Sequence, residues 1–357
     1  MRCGSRFVVA AIAAGLAVFG LLVMNWGLPP ATASSPPEGS DLGDLGHPRP
    51  DLTADELAGF AEGQRLFTQK PPGIGPLFND QACSDCHSVP TLGGSGTLEH
   101  VAIMGPRAHG DIELYRRHAL PGWKVPTPPP NASQRIAPPL YGLGLIEQIP
   151  DASIRAACRT GHVDTAKAQG SLPKNVVARF GVKPFLGTVM DFVGGALFSE
   201  SSVTNALEGT PDDDALPDPE VDMKFVATLA AYVRGLQRPA RNGNDPDGEA
   251  AFRSLGCGSC HLPDMPPAIG VFSDFCVHAM GEGLADGIFD HEAKGDEFRT
   301  TPLWGLRFKK LFLHDGRVST IVDAVTAHGG EASAALTAYR NASSEQREAL
   351  LRFLRTL

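Results

Sequence analysis

A surplus of basic residues is missing from this sequence: 31 Lys and Arg stand against 40 Asp and Glu, a formal net charge of −9. That excludes the electrostatic footprint of a nucleic-acid-binding protein. Strand-like alternation is also sparse, and no apolar run beyond the N-terminal one approaches membrane length, so the body of the chain reads as helices and loops in water. Cysteine is scarce, seven in 357 residues. Four of the seven fall in two short signatures, Cys83-Ser84-Asp85-Cys86-His87 and Cys257-Gly258-Ser259-Cys260-His261.

Each signature is the attachment pattern of a c-type haem. Two thiols separated by two residues on a tight helical turn can reach both vinyl groups of one porphyrin, and the adjacent imidazole swings under the iron as proximal ligand. Cys83, Cys86, Cys257 and Cys260 therefore read as covalent attachment sites for two haems, with His87 and His261 as iron ligands. The competing reading is a four-thiolate zinc site. It fails because 174 positions separate Cys83 from Cys257, where zinc modules use a short gap, and because it leaves both histidines without a purpose.

Residues 1–33 are composed like a secretory signal peptide: Arg2 and Arg6 form a basic start, Phe7 to Val23 is uncharged and apolar, and Ala31-Thr32-Ala33 is a small-residue cleavage site. Cleavage would leave 29 basic against 40 acidic residues, a charge of −11. The alternative is an uncleaved anchor, for which an apolar run of 17 residues lies at the short limit. Export combined with covalent haem points to a periplasmic protein without stable membrane insertion. Cys3 leaves with the signal. Cys158 and Cys276 remain, open to pairing or to staying as buried thiols, since sequence carries none of the geometry a disulfide needs.

Residues 34–50, rich in Ser, Pro and Gly, read as a mobile leader. The rest divides into two expected domains, 51–238 and 239–357, with one haem signature in each. Thr53 and Glu56 form a capping box ahead of Leu57, Phe60, Leu66 and Phe67, so a helix leads toward the first signature. Asp245-Pro246 opens a matching helix through Ala250, Phe252 and Leu255 that ends at Gly256. A third helix at 222–237 aligns Met223, Val226, Leu229, Ala230 and Val233. Ser343 and Gln346 cap a terminal helix carrying Leu350, Leu351, Phe353, Leu354 and Leu357. Pro121 to Pro130 cannot continue a helix and reads as an extended loop. The fold class is thus all-α, two cytochrome c-like domains with long loops.

Several ordered motifs carry a resemblance. Phe78-Asn79-Asp80, Gly93-Gly94-Ser95-Gly96, Pro138-Pro139-Leu140-Tyr141-Gly142-Leu143-Gly144, Arg179-Phe180-Gly181, Arg299-Thr300-Thr301-Pro302-Leu303-Trp304-Gly305, His314-Asp315-Gly316-Arg317 and His328-Gly329-Gly330-Glu331-Ala332 together resemble the di-haem oxidoreductase family, sometimes labelled thiol oxidoreductases. The likeness runs from about residue 55 to the C-terminus. That family is similar to the bacterial di-haem cytochrome c peroxidases. The resemblance implies two cytochrome c-like domains facing each other, an electron-storing C-terminal haem and an N-terminal haem that meets peroxide.

Carried over by position, the resemblance places His328 where the peroxidases have the sixth ligand of their electron-storing haem. Met280 competes for that place, while His278 and His314 are assigned to hydrogen bonding near the haem. The acid that moves a proton between the peroxide oxygens falls at Glu200, with Glu147 as the alternative, and His100 is a candidate cap on the resting first haem. Trp304 is a candidate contact between the haems, although large aromatics more often pack cores. A calcium ion between the domains lacks support, because Lys309 and Lys310 occupy the region that would supply its ligands. The expected function is a peroxidase-like oxidoreductase reducing peroxide with electrons from a small donor protein. The alternatives are a non-catalytic di-haem electron carrier and an enzyme that oxidises a partner protein through high-valent iron.

Overall fold

Helix formation begins where the sequence predicts it. Thr53 accepts the Glu56 amide at 3.3 Å while the Glu56 carboxylate accepts the Thr53 amide at 2.8 Å, so two amides that a helix start leaves orphaned are satisfied. The computed structural model describes residues 42–106, 112–166, 175–208, 214 and 216–357. The expected signal peptide and the expected mobile leader up to residue 41 lie outside the described residues, whereas the rest of that leader is tied to the fold: Leu45 is buried in an apolar core, and the Arg49 amide donates to the Gly235 carbonyl at 2.8 Å. Ten α-helices are present among the described residues: α1 (Ala54–Phe67), α2 (Cys83–Cys86), α3 (Leu143–Glu147), α4 (Asp151–Ala157), α5 (Val189–Ser201), α6 (Met223–Gly235), α7 (Pro246–Ser254), α8 (Ile321–Thr326), α9 (Ser333–Asn341) and α10 (Ser344–Leu354).

Two helix pairs organise the packing, and they are built alike. Helix α1 buries Phe60, Gly63 and Phe67 and meets α6 at Thr228, Tyr232 and Gly235. A Cβ at position 63 would lie 2.3 Å from the Thr228 carbonyl oxygen, so the backbones approach this closely only because the residue is glycine. Helix α7 repeats the device against α10: a Cβ at Gly248 would lie 2.5 Å from the Ala349 carbonyl oxygen. Phe252 and Phe353 then meet with ring centroids 5.2 Å apart. Burying each such side chain contributes about 1.5–3 kcal/mol.

Around these pairs lie two apolar cores. The first is formed by α1, α3, α5 and α6, and it also takes in Met265, Ala268, Val271, Phe275 and Trp304 from the C-terminal half. The second gathers Phe252, Phe272, Leu306, Phe312, Tyr339, Leu350, Phe353 and Leu357. The terminal apolar stripe is therefore core, as expected. Residues 123–129 adopt neither helix nor strand, in keeping with their prolines.

The all-α expectation needs one correction. Among the described residues seven short strands form three small antiparallel sheets: β1 (Leu77–Phe78) with β4 (His118–Ala119), β2 (Ala102–Pro106) between β3 (Ile112–Leu114) and β5 (Ser133–Arg135), and β6 (Val277–Ala279) with β7 (Glu297–Arg299). Each has two to five residues, too few to display an alternating pattern. They pair because backbone groups in long loops still need partners.

The two halves of the sequence are also joined directly. Cys158 and Cys276 form a disulfide with Cα atoms 5.7 Å apart, within the range for such a bond. Beside it, His162 and Val277 exchange backbone hydrogen bonds of 3.0 and 2.8 Å. A buried ion cluster adds a further link. The Lys183 ammonium donates to the Ile288 carbonyl at 2.6 Å and pairs with Asp286 at 3.0 Å, while Arg135 pairs with the same carboxylate at 2.8 Å.

Candidate active site

Cys83 and Cys86 bracket α2, a single helical turn, so both sulfurs leave one face of it. The Asp85 carboxylate holds the start of the turn by accepting the amides of Gln81 and Ala82 at 3.1 and 3.0 Å. His87 follows directly, and its Nδ1 lies 3.2 Å from the Gly94 carbonyl oxygen. The Gly93-Gly94-Ser95-Gly96 motif makes this contact, since the loop folds back to bond Gly93 N to His87 O at 2.8 Å and Ser95 N to Val89 O at 2.7 Å. Burial pushes the imidazole down to about 4, against the opposing pull of backbone carbonyls at Gly94 and Pro138. The ring is neutral, with its proton on Nδ1 and an acceptor lone pair on Nε2.

The second signature repeats this arrangement. Cys257 and Cys260 flank a short 3₁₀ turn, and His261 Nδ1 lies 2.9 Å from the Phe272 carbonyl oxygen. Burial takes His261 to about 4, the Phe272 carbonyl opposes it, and the neighbouring His328 depresses it further. His328 sits just beyond the last turn of α8, where its Nδ1 donates to the Ala324 carbonyl at 2.7 Å. That bond satisfies one of the carbonyls a helix end leaves open. The three histidines expected as iron ligands thus share one pattern: Nδ1 on a backbone carbonyl and Nε2 left as acceptor, the arrangement a metal-bound imidazole needs. Four free thiols in two pairs complete the donor set, so these residues fit two haems.

The other histidines divide differently. His278 is 3% exposed and has a carboxylate on each ring nitrogen, Asp274 at 3.1 Å and Glu331 at 2.9 Å. Burial would lower it, but contacts with Asp274, Cys260 and Glu331 carry it up to about 11. Its expected hydrogen-bonding role matches this geometry. His314 stacks on Phe298 at 4.5 Å and keeps a buried Nε2 without a hydrogen-bond partner among the described residues. His100 is tethered through Nδ1 to Asp80 at 2.9 Å. The same Asp80 oxygen accepts from Arg117 and lies 3.3 Å from Cys86 Sγ.

Glu200 lies near the C-terminal end of α5, close enough to Cys83 and Cys86 to act electrostatically on both thiols. Asn79 binds it twice, with Nδ2 donating to Glu200 Oε2 at 2.5 Å and its backbone amide donating to the Glu200 carbonyl at 2.8 Å. Arg117 N in turn fixes Asn79 Oδ1 at 3.2 Å. Burial raises the Glu200 carboxyl above the ordinary glutamate value, with the Asn79 contact opposing.

Glu147 is placed elsewhere and is otherwise engaged. It takes a two-pronged contact from Arg234 at 2.6 and 2.8 Å and accepts the Val189 amide at 2.8 Å. It therefore caps the N-terminus of α5, where a negative charge is favourable. Eleven residues of helix separate that end from Glu200, a rise of about 16 Å. Both Glu147 carboxylate oxygens are thus engaged. Trp304 is 6% exposed within the first core, the packing role large aromatics usually take. Met280 follows β6 with its amide bonded to the Asp296 carbonyl at 2.8 Å.

Sequence reasoning gave no role to Asn79, Asp80, Arg117, Asp274 or Glu331. The Phe78-Asn79-Asp80 motif was the available signal for two of them. Arg179 and Arg299 prove structural: Arg179 donates to the Ile149 carbonyl at 2.5 Å and Arg299 to the Gly181 carbonyl at 3.0 Å. Among the described residues no helix is long and apolar enough to cross a membrane.

Residues 131–357 match the model of the family described as "Di-haem oxidoreductase, putative peroxidase". No curated protein matches the chain. Solved structures similar to it include the diheme peroxidase BthA from Burkholderia thailandensis, 16% identical over 88% of this chain and 87% of that one, with a TM-score of 0.46. Hydrazine synthase from Kuenenia stuttgartiensis is 16% identical over 99% of this chain and 100% of that one, at a TM-score of 0.45. A MauG-like protein associated with microbial copper homeostasis is 18% identical over 93% and 94%, at a TM-score of 0.40.

Proposed function

Since the chain belongs to the di-haem oxidoreductase family, we propose that it is a periplasmic c-type peroxidase that reduces peroxide with electrons from a small donor protein. Cys83, Cys86 and His87 would hold one haem, and Cys257, Cys260, His261 and His328 the other. When bound, haem iron supplies electron storage at the second site and peroxide reduction at the first. Residues 51–238 are assigned to the peroxide-reactive domain and 239–357 to the electron-storing one.

The observation that carries this reading is an asymmetry. The second site has two neutral imidazoles near each other, His261 and His328. The first pairs its thiols with a carboxyl, Glu200, whose proton affinity burial has raised. A carboxyl with that property can take a proton from one peroxide oxygen and return it to the departing one. Asn79 supports this role, because its Nδ2 contact holds one oxygen and leaves the other for proton transfer. The charge of −11 that signal cleavage would leave, 29 basic against 40 acidic residues, suits steering of a basic donor. The test is peroxide consumption by the pre-reduced protein, compared with a Cys83→Ala/Cys86→Ala variant. Full turnover is expected of the first and none of the second. Equal turnover would refute the assignment of peroxide reduction to the first site, and no turnover by either would leave the electron carrier as the better account.

A further inference from the structure

His328 stands at a point where the local chain does little to fix it. Among the described residues its ring has one bond, Nδ1 to the Ala324 carbonyl, and the next two residues are Gly329 and Gly330, the most permissive pair available. Whatever sets its distance from His261 must come from farther along. Glu331, the first residue past the glycines, is anchored by two hydrogen bonds: Oε2 to His278 Nδ1 at 2.9 Å and Oε1 from the Ala279 amide at 3.0 Å. The contact is close along its length, since a Cβ at Gly330 would lie 2.1 Å from the Ala279 carbonyl oxygen.

His278 carries the connection onward. Its Nε2 meets Asp274 Oδ2 at 3.1 Å, and because carboxylates only accept, both ring nitrogens must donate and the ring is a cation between two anions. The Asp274 amide donates to the Cys260 carbonyl at 2.9 Å, one residue before His261. A continuous path thus runs from the proximal signature through Asp274, His278 and Glu331 to the turn that follows His328. It bridges the two imidazoles without using the metal position.

Resting on the assignment of His328 as an iron ligand, we propose that Asp274, His278 and Glu331 form a positioning clamp that holds His328 opposite His261 and keeps the second iron closed to outside ligands. The clamp has an electrostatic side as well. Two anions and one cation leave a net negative charge there, which favours the oxidised form of the nearby haem.

The test uses the haem-loaded full chain, with cyanide as the competing ligand and the second haem's low-spin spectrum and potential as readouts. Glu331→Ala removes both bonds. It should raise cyanide affinity at the second haem by about 10- to 100-fold, the worth of a charge-assisted hydrogen bond, and shift the potential upward. Glu331→Gln retains a single acceptor and should give a smaller change in the same direction, which covers the case in which the alanine variant does not load haem. His328→Ala is the control and should convert the second haem to high spin. If that control converts while both Glu331 variants match the wild type in cyanide affinity and potential, the clamp is refuted and the ligand assignment stands. A His328→Ala protein with an unchanged second haem removes the ligand assignment and the clamp with it.

Discussion

The two glutamates at opposite ends of α5 give the sharpest separation of chemistry from structure. Glu200→Gln keeps the side-chain shape and an oxygen to accept the Asn79 Nδ2 contact, so only the titrating group is lost. Peroxide reactivity should fall about 10²- to 10⁴-fold, a barrier increase of about 2.7–5.4 kcal/mol. Stability should move the other way. The folded carboxyl titrates above its ordinary value of 4.5 because burial disfavours its charge. Ionisation therefore costs stability as pH rises from that value through the raised one, and the glutamine variant should lack this decline. Glu147→Gln should do the reverse: it removes the charge that pairs with Arg234 and faces the N-terminus of α5 while keeping one oxygen for the Val189 amide, costing about 1 kcal/mol with peroxide reactivity within about twofold. Stopped-flow haem absorbance against peroxide gives the rates, and denaturant unfolding gives the stabilities. Equal rate losses in the two variants would refute the assignment of proton transfer to Glu200.

Further expectations follow from the links between the halves and from the second site. The Cys158–Cys276 bond closes a separation of 118 residues, for which the chain-entropy estimate is about 5 kcal/mol at 25 °C; the double serine variant should lose about 2–5 kcal/mol in denaturant unfolding, and a loss below about 1 would deny the bond a stabilising role. Lys183→Met leaves Asp286 partly uncompensated in a buried cluster and should cost about 3–5 kcal/mol, checked in the same assay. At the second haem, His328→Met should raise the potential and introduce a near-infrared sulfur-to-iron band absent from the wild type, whereas Met280→Leu should change neither.

Much of this arrangement was readable in the sequence, because its signals are local. The caps at Thr53, Asp245 and Ser343 each open a helix as expected, and the two cysteine–histidine turns are contiguous. The features that sequence left open depend on partners far apart in the chain. Pairing of Cys158 with Cys276, the ion cluster joining Arg135 and Lys183 to Asp286, and the Asp274–His278–Glu331 path all need tertiary geometry. The choice between Glu200 and Glu147 was of the same kind. Both stand in plausible segments, and burial of the one and the arginine partner of the other arise only from contacts distant in sequence. The small sheets escaped notice because strands this short carry no period.

The spectrum of the haem-loaded protein tests the central claim most directly. Mass spectrometry should first show two haems attached. Electron paramagnetic resonance of the resting and half-reduced forms should then show a low-spin second haem with two imidazole ligands and, in the half-reduced form, a high-spin first haem open to peroxide. Two haems that stay purely low-spin in both forms would contradict a peroxide-reactive first site and favour an electron carrier.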